Sequence, residues 1–378
     1  MKLLQKKFSA QNGWEIIRND DFDTALCNLV LVFGSTNMLS AKNIYDPLKN
    51  EYPNAHILVN TTAGEIIDTQ VSDNCISVTA IYFENTQIET SVIDIKKVEN
   101  SYEAGIKLAK GLKSNGLNNV FIISDGQQVN GSELVAGVQK TLAKEIIITG
   151  GLAGDGASFK KTLVGLNENP VEGKIVALGF YGKKLQVTYG SFGGWDSFGP
   201  ERLITKAKGN ILYELDGKPA LDIYKMYLGD YAKDLPSSGL LFPLSIRNDD
   251  NNSLVRTILS INEKDKSLIF AGNMTEGVYS RLMKANLDRL IEGAAIAAQN
   301  TGTEKNFKPD LAILISCVGR KLVLDQRVEE EVEVIRTIYG NSTAITGFYS
   351  YGEISPSFNF SKCDLHNQTM TITTFTEL

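Results

Sequence analysis

The sequence predicts an α/β fold of two related domains, each a mixed β-sheet flanked by helices, generated by internal duplication. Three observations carry this expectation. Short β-branched and apolar runs alternate with amphipathic segments along the 378 residues, as buried central strands alternate with helices. A strand–helix–strand motif recurs three times, and each copy ends in a small polar turn with Thr, Gly and an acid. The second and third copies are also framed by matching strands and helices.

Copy one runs from LVLVFGS (Leu29 to Ser35) to HILVNTTAGEI, whose end supplies Thr61, Thr62, Gly64 and Glu65. Between them Asp46-Pro47 reads as a cap and first-turn proline. Copy two follows the strand-like runs CISVTAIYF and IETSVID and a helix over 101–113. Its core is NVFIISDG, a helix capped by Ser132 that buries Leu134, Val138 and Leu142, and EIIITGGLAGD with Thr149, Gly150, Gly151 and Asp155. VALGFYG and LQVTYG continue as strands. Copy three follows LVRTILSI, SLIFAG and a long helix over 276–299 with Met283, Leu287, Leu290, Ala294 and Ala298 facing inward. LAILISCVGR then leads to a helix over 326–339, striped by Val328, Val332, Ile335 and Tyr339 and stopped by Gly340-Asn341. TAITGFYSYGEI closes the copy with Thr346, Gly347, Gly352 and Glu353, and TMTITTF is the last strand. Copies two and three are expected to be the cores of two halves, with copy one an N-terminal addition. The strongest breaker, AKDLPSSG, sets the domains at 1–232 and 233–378.

Apolar residues make up 43% of the chain and charged residues 22%, with a formal charge of −6. That balance argues against nucleic acid or an anionic membrane as the main partner. Four cysteines stand far apart without a CxxC pair, which is not a disulfide scaffold. The N-terminus lacks the apolar stretch of a secretory signal, and no apolar run approaches the ~18 residues of a membrane helix. A cytoplasmic protein is expected.

Strand ends are the usual ligand positions in α/β proteins, so three matched ends suggest a shared polar pocket. The acids Glu65, Asp155 and Glu353 could hold an amine or a metal, or act as acid and base; each could equally cap neighbouring backbone. TGGLAGDG (Thr149 to Gly156) is followed by a strand-like SFKKTLVGL, whereas nucleotide motifs need a helix there. Its glycines read as a tight turn. Cys317 ends a buried-type strand, where a small hydrophobe is the common role. Arg320, three residues after it in the motif, suits a carboxylate or phosphate ligand, or a structural ion pair. The two histidines, His56 and His366, lie in no HExxH, GxSxG or CxxCH motif.

Longer motifs add a resemblance. GSFGGWDSFGPERLITKAKGNILYELDGKPALDIYKMYLG, from Gly190, resembles the end of an N-terminal FIST domain. ISCVGRKLVLDQRVEEEVEVI, TGFYSYGEISP and LHNQTMT resemble the core of a C-terminal FIST domain, and NTTAGEI resembles a family turn. The family pattern carries Gly-Gln after LVL, where this chain has Asp325-Gln326. The resemblance spans about Leu29 to Thr374. It implies a sensory module of signal transduction that binds small ligands, with amino acids or related metabolites proposed. It also implies output through a separate partner such as a histidine kinase, or a binding component alone, since no output segment is expected after the two halves.

These readings combine into a cytoplasmic, non-enzymatic ligand sensor with a pocket lined by Thr61, Thr62, Glu65, Asp155, Arg320, Tyr351, Glu353 and His366. In it Arg320 holds a carboxylate, the acids an ammonium group, and Tyr351 an apolar or hydroxyl part. No cofactor is required. One rival is a metal-assisted hydrolase using the same carboxylates. Another is a haem-based gas sensor, implied by the family, with His56 or His366 as ligand.

Overall fold

The computed structural model describes residues 1–247, 253–302, 308–356 and 362–378. Each copy of the motif builds the centre of its own sheet. Unit one comprises β1 (Lys2–Ser9), β2 (Gly13–Asn19), β3 (Leu29–Gly34), α1 (Thr36–Ala41), α2 (Tyr45–Glu51), β4 (His56–Thr61), β5 (Glu65–Ile67), β6 (Gln70–Ser72) and β7 (Cys75–Tyr82). Unit two comprises β8 (Gln87–Asp94), α3 (Ser101–Lys110), β9 (Leu117–Ser124), α4 (Gly131–Thr141), β10 (Ile147–Leu152), β11 (Val164–Leu166) and β12 (Lys174–Tyr181). β13 (Leu185–Phe192) then leads into an inserted body. That body holds β14 (Asp196–Lys208), β15 (Ile211–Leu215), β16 (Lys218–Pro219), α5 (Ala220–Leu228), β17 (Leu244–Arg247), β18 (Ser253–Arg256), β19 (Ile258–Asn262), β20 (Ser267–Phe270) and β21 (Tyr279–Lys284). Unit three comprises α6 (Leu287–Gln299), β22 (Leu311–Cys317), α7 (Val318–Leu324), α8 (Glu330–Tyr339), β23 (Ala344–Ser350), β24 (Gly352–Pro356), β25 (Cys363–His366) and β26 (Met370–Glu377).

The three sheets share one plan. A parallel pair forms each centre: β3 with β4, β9 with β10, β22 with β23. An antiparallel strand flanks the first member (β7, β12 or β26), and β1, β8 or β13 pairs beyond it. The remaining edge is completed by a neighbour. β5 of unit one pairs with β23, β24 of unit three pairs with β10, and β11 of unit two pairs with β4. Each unit therefore gives one strand away and receives one, in a closed cycle. Copy one is a full third unit, not an appendage to the first half.

The inner faces of the three sheets meet in a common core. Phe33, Phe121, Phe180, Ile313, Phe348 and Phe375 are buried there together. The ring centroids of Phe33 and Phe348 lie 4.9 Å apart, and those of Phe180 and Phe375 5.1 Å. Such pairs add about 1 kcal/mol beyond burial. Helices cover the outer faces, and three of the longer ones are started by an Asn cap: Asn100 for α3, Asn130 for α4 and Asn286 for α6. Ser132, expected as the cap of α4, is its second residue. All four cysteines are buried and free.

The inserted body has its own core of Ile204, Leu221, Tyr224, Leu244, Phe270 and Leu282. The 232/233 junction falls inside it, between α5 and β17. The helix expected over 276–299 begins only at Leu287. Residues Tyr279–Lys284 alternate instead, burying Ser280 and Leu282, and form β21 against β14 and β17. Cross-strand pairing there overrides a helical reading of the apolar spacing.

Asp325, which stands where the family pattern has Gly, ends α7 at φ 47° and ψ −112°. That conformation favours glycine and costs a side-chain-bearing residue on the order of 1–3 kcal/mol. Asp325→Gly is therefore expected to raise the denaturant midpoint; an unchanged or lower midpoint would contradict the strain.

Candidate functional site

The three strand-end turns converge through backbone hydrogen bonds. Ala63 N donates to Tyr349 O and Tyr349 N to Gly64 O, each at 2.8 Å. Gly154 N donates to Thr61 O at 3.0 Å and Gly156 N to Thr62 O at 3.1 Å. Tyr351 N completes the ring by donating to Leu152 O at 3.2 Å. The turns thus meet, and of their acids Glu65 and Asp155 line one cleft while Glu353 does not.

Glu65 is buried and accepts from Thr62 Oγ1 at 2.5 Å, Cys75 N at 3.3 Å and Cys75 Sγ at 3.2 Å. Glu353 is buried in the same way, accepting from Ser350 Oγ at 2.7 Å, Thr369 N at 3.2 Å and Thr369 Oγ1 at 2.9 Å. Each carboxylate satisfies the N–H at the start of the antiparallel strand that flanks its unit's parallel pair, β7 or β26. In unit two that task falls to Asp125, which accepts from Gly173 N at 2.8 Å and from Gln127 N and Gln128 N at 2.7 and 2.8 Å. Asp155 is thereby freed to the partly exposed rim, where Oδ2 accepts from Lys161 N at 3.0 Å. The sequence signal was available: Thr62 and Ser350 stand three residues before their acids, and Leu152 stands there before Asp155.

Arg320 also lies away from any ligand position. Its side chain is fully buried. Nε and Nη2 donate to Glu331 Oε2 at 3.1 and 2.8 Å, Nη2 donates to Leu290 O at 2.8 Å, and Nη1 donates to Gly193 O. The guanidinium joins α7 to α8, α6 and the segment entering the inserted body, so the expected contact with a ligand carboxylate is replaced by internal partners. Tyr351 stacks on Phe159 with centroids 4.6 Å apart and donates to Gly156 O at 3.2 Å. Thr61 Oγ1 accepts from Leu163 N at 2.9 Å. His366 is buried with Nε2 3.0 Å from Ser355 O, on a strand of the second sheet. His56 opens β4 at the end opposite the turn, with Nδ1 3.2 Å from Asn167 Nδ2. The histidines do not converge, and both rings are engaged by protein groups.

What the turns do form is a polar cleft of about 380 Å³ beside the carboxyl ends of β3 and β4. Its walls bring together Thr36, Thr62, Glu65, Asp73, Asp155 and Lys321. Lys321, unremarked in the sequence, reaches in from α7. Nζ donates to Ala63 O at 3.0 Å and pairs with the Asp73 carboxylate. Thr36 Oγ1 is buried there without a partner among the described residues. A larger crevice of about 620 Å³ lies at the other end of β10, lined by Ile147, Ile148, Val187 and Tyr189 among others. It contains none of the turn residues, so the smaller, charged cleft is the better candidate. Among the described residues, no cluster of three or more His, Cys, Asp or Glu is arranged to hold a metal ion.

The FIST N domain family matches residues 28–218, and the FIST C domain family matches residues 220–356. The chain belongs to the FIST family. FIST domains are associated with sensing in signal transduction. The FIST N and FIST C segments meet next to α5, just ahead of the expected 232/233 junction. An uncharacterized protein of Methanocaldococcus jannaschii is 24% identical over 344 residues, which cover 82% of this chain and 63% of that protein. This FIST chain therefore spans less than two thirds of that relative's length. Among the described residues, no helix is long and apolar enough to cross a membrane.

Two outcomes test the geometry. Arg320→Ala would leave Glu331 as an uncompensated buried charge and is expected to cost about 3–5 kcal/mol in chemical denaturation; a loss below about 1 kcal/mol would remove the buried clamp. Burial raises Glu65 to about 7 and Glu353 to about 8, outweighing the hydrogen bonds that favour ionisation. Unfolded, both ionise near 4.5, so between about 4.5 and 8 the folded state binds more protons. Their contribution to stability therefore falls as pH rises through that window and levels off above it. Glu353→Gln is expected to flatten the decline between pH 5 and pH 8; a slope equal to wild type would refute it.

Proposed function

We propose that this FIST protein is a non-enzymatic, cytoplasmic sensor of a small ligand, an amino acid or related metabolite, bound in the cleft beside Lys321. The reading is carried by one observation. A concave site at strand carboxyl ends is lined by the Lys321 ammonium group and by two carboxylates, Asp73, which pairs with it, and Asp155, and the Thr36 hydroxyl there has no partner among the described residues. Opposed charges across a small cleft suit a zwitterion: Lys321 takes the carboxylate, and Asp155 with Asp73 takes the ammonium. Binding would exchange the internal Lys321–Asp73 pair for pairs with the ligand.

The position also suits signalling. Lys321 follows Arg320 on α7, and Arg320 anchors α6, α8 and the inserted body. A ligand that draws Lys321 inward therefore acts on the helix that ties unit three together, and a separate protein such as a histidine kinase would read the change.

The test is a thermal-shift and calorimetric screen of amino acids and small metabolites on wild type, Lys321→Ala and Asp155→Asn. A ligand at 100 times its Kd is expected to stabilise wild type by about 2.7 kcal/mol. Both variants should lose most of that gain. Stabilisation that survives both substitutions, or none by any zwitterion, would overturn the assignment.

A further inference from the structure

The pseudo-threefold plan implies counterparts of the open cleft in the other units. In unit two the place is filled, because Asp125 occupies it and bonds Gln127, Gln128 and Gly173. In unit three the counterpart is covered. There Ser350 and Glu353 repeat Thr62 and Glu65. Thr369 repeats Cys75 as the donor to the glutamate. Gln368 repeats Asn74, both at positive φ (63° and 56°) one residue before that donor. Asn367 then stands where unit one has Asp73, the carboxylate of the open cleft.

Asn367 and Gln368 are both fully buried, and among the described residues none of the four amide atoms on their side chains has a hydrogen-bond partner. Buried polar groups are nearly always satisfied, and two adjacent carboxamides with nothing to bond are exceptional. The surroundings are built around them. Gln368 lies against Gly319 at the start of α7, where a Cβ would stand 2.6 Å from Oε1. Trp195 covers the site from the segment entering the inserted body, its Nε1–H donating to Gln368 O at 2.8 Å. Arg320 fastens that same segment through Gly193 O.

We propose that unit three holds a second, occluded binding site, lined by Asn367 and Gln368 under Trp195, for a small neutral ligand of the carboxamide or urea type. The charge pattern selects the class. Asn367 replaces the aspartate of the open cleft, the Glu353 oxygens are already engaged by Ser350 and Thr369, and Arg320 is neutralised by Glu331. What is left unpaired is two amides, each both donor and acceptor. A ligand amide complements them without bringing an unpaired charge into the interior. The inference is independent of any ligand in the open cleft.

The protein has two tryptophans, so Trp14→Phe leaves Trp195 as the sole reporter in the full chain. Acetamide is titrated against acetate and methylammonium while Trp195 fluorescence and thermal stability are followed. A saturable response in the millimolar range, fitting so small a fragment, is expected for acetamide alone. Gln368→Met and Asn367→Leu should abolish it, and Lys321→Ala should leave it intact. A crystal structure of the wild-type protein with acetamide gives a readout that needs no variant to fold. Acetamide bonded to either amide supports the site. Only water at those amides, no saturable response, or an equal response to acetate would overturn it.

Discussion

Everything in this molecule depends on the exchange of edge strands among three sheets and on the ring of backbone hydrogen bonds that accompanies it. A three-residue strand such as β5 has no stability of its own. It is ordered because β23 supplies its partner, and unit three is closed because β5 covers its edge. The same trade between β24 and β10, and between β11 and β4, leaves no unit with a complete sheet of its own. The turns meet because each lies at the crossing where a chain leaves one sheet for the next.

On that scaffold one position has diverged three ways. A carboxylate must meet the N–H at the start of β7, β12 and β26, since an unsatisfied donor in the interior is costly. Units one and three meet it with the turn glutamate. Unit two meets it with Asp125, at the position that borders the cleft in unit one, and in unit three Trp195 lies on the corresponding turn through its bond to Gln368 O. The sites proposed above thus lie at departures from the repeat, not in the repeat itself.

The local periodicities of the three motifs were legible in the sequence, so the strand–helix–strand cores and their turns could be placed. Which edge a short strand joins was not, because β5, β11 and β24 are too brief to specify a partner and choose it through tertiary contact. The same limit explains the site residues. Arg320 and Lys321 are neighbours on α7, yet a turn of roughly 100° per residue sends one into the clamp with Glu331 and the other into the cleft. Asp155 matched its counterparts by position, but the missing hydroxyl at Leu152 mattered more than the match. Residues 279–284 carried apolar spacing compatible with a helix, and only their partners β14 and β17 decide for a strand.

The exchange also imposes an order on synthesis. Ile67 pairs with Thr346, roughly 280 positions later, and pairings so distant in sequence slow folding because the loop must close before they are rewarded. While the ribosome makes units two and three, β5 presents an unpaired edge, the kind of surface that recruits wrong partners. The sheet of unit one can close once β11 has been made, whereas that of unit two waits for β24, roughly 200 positions after β10.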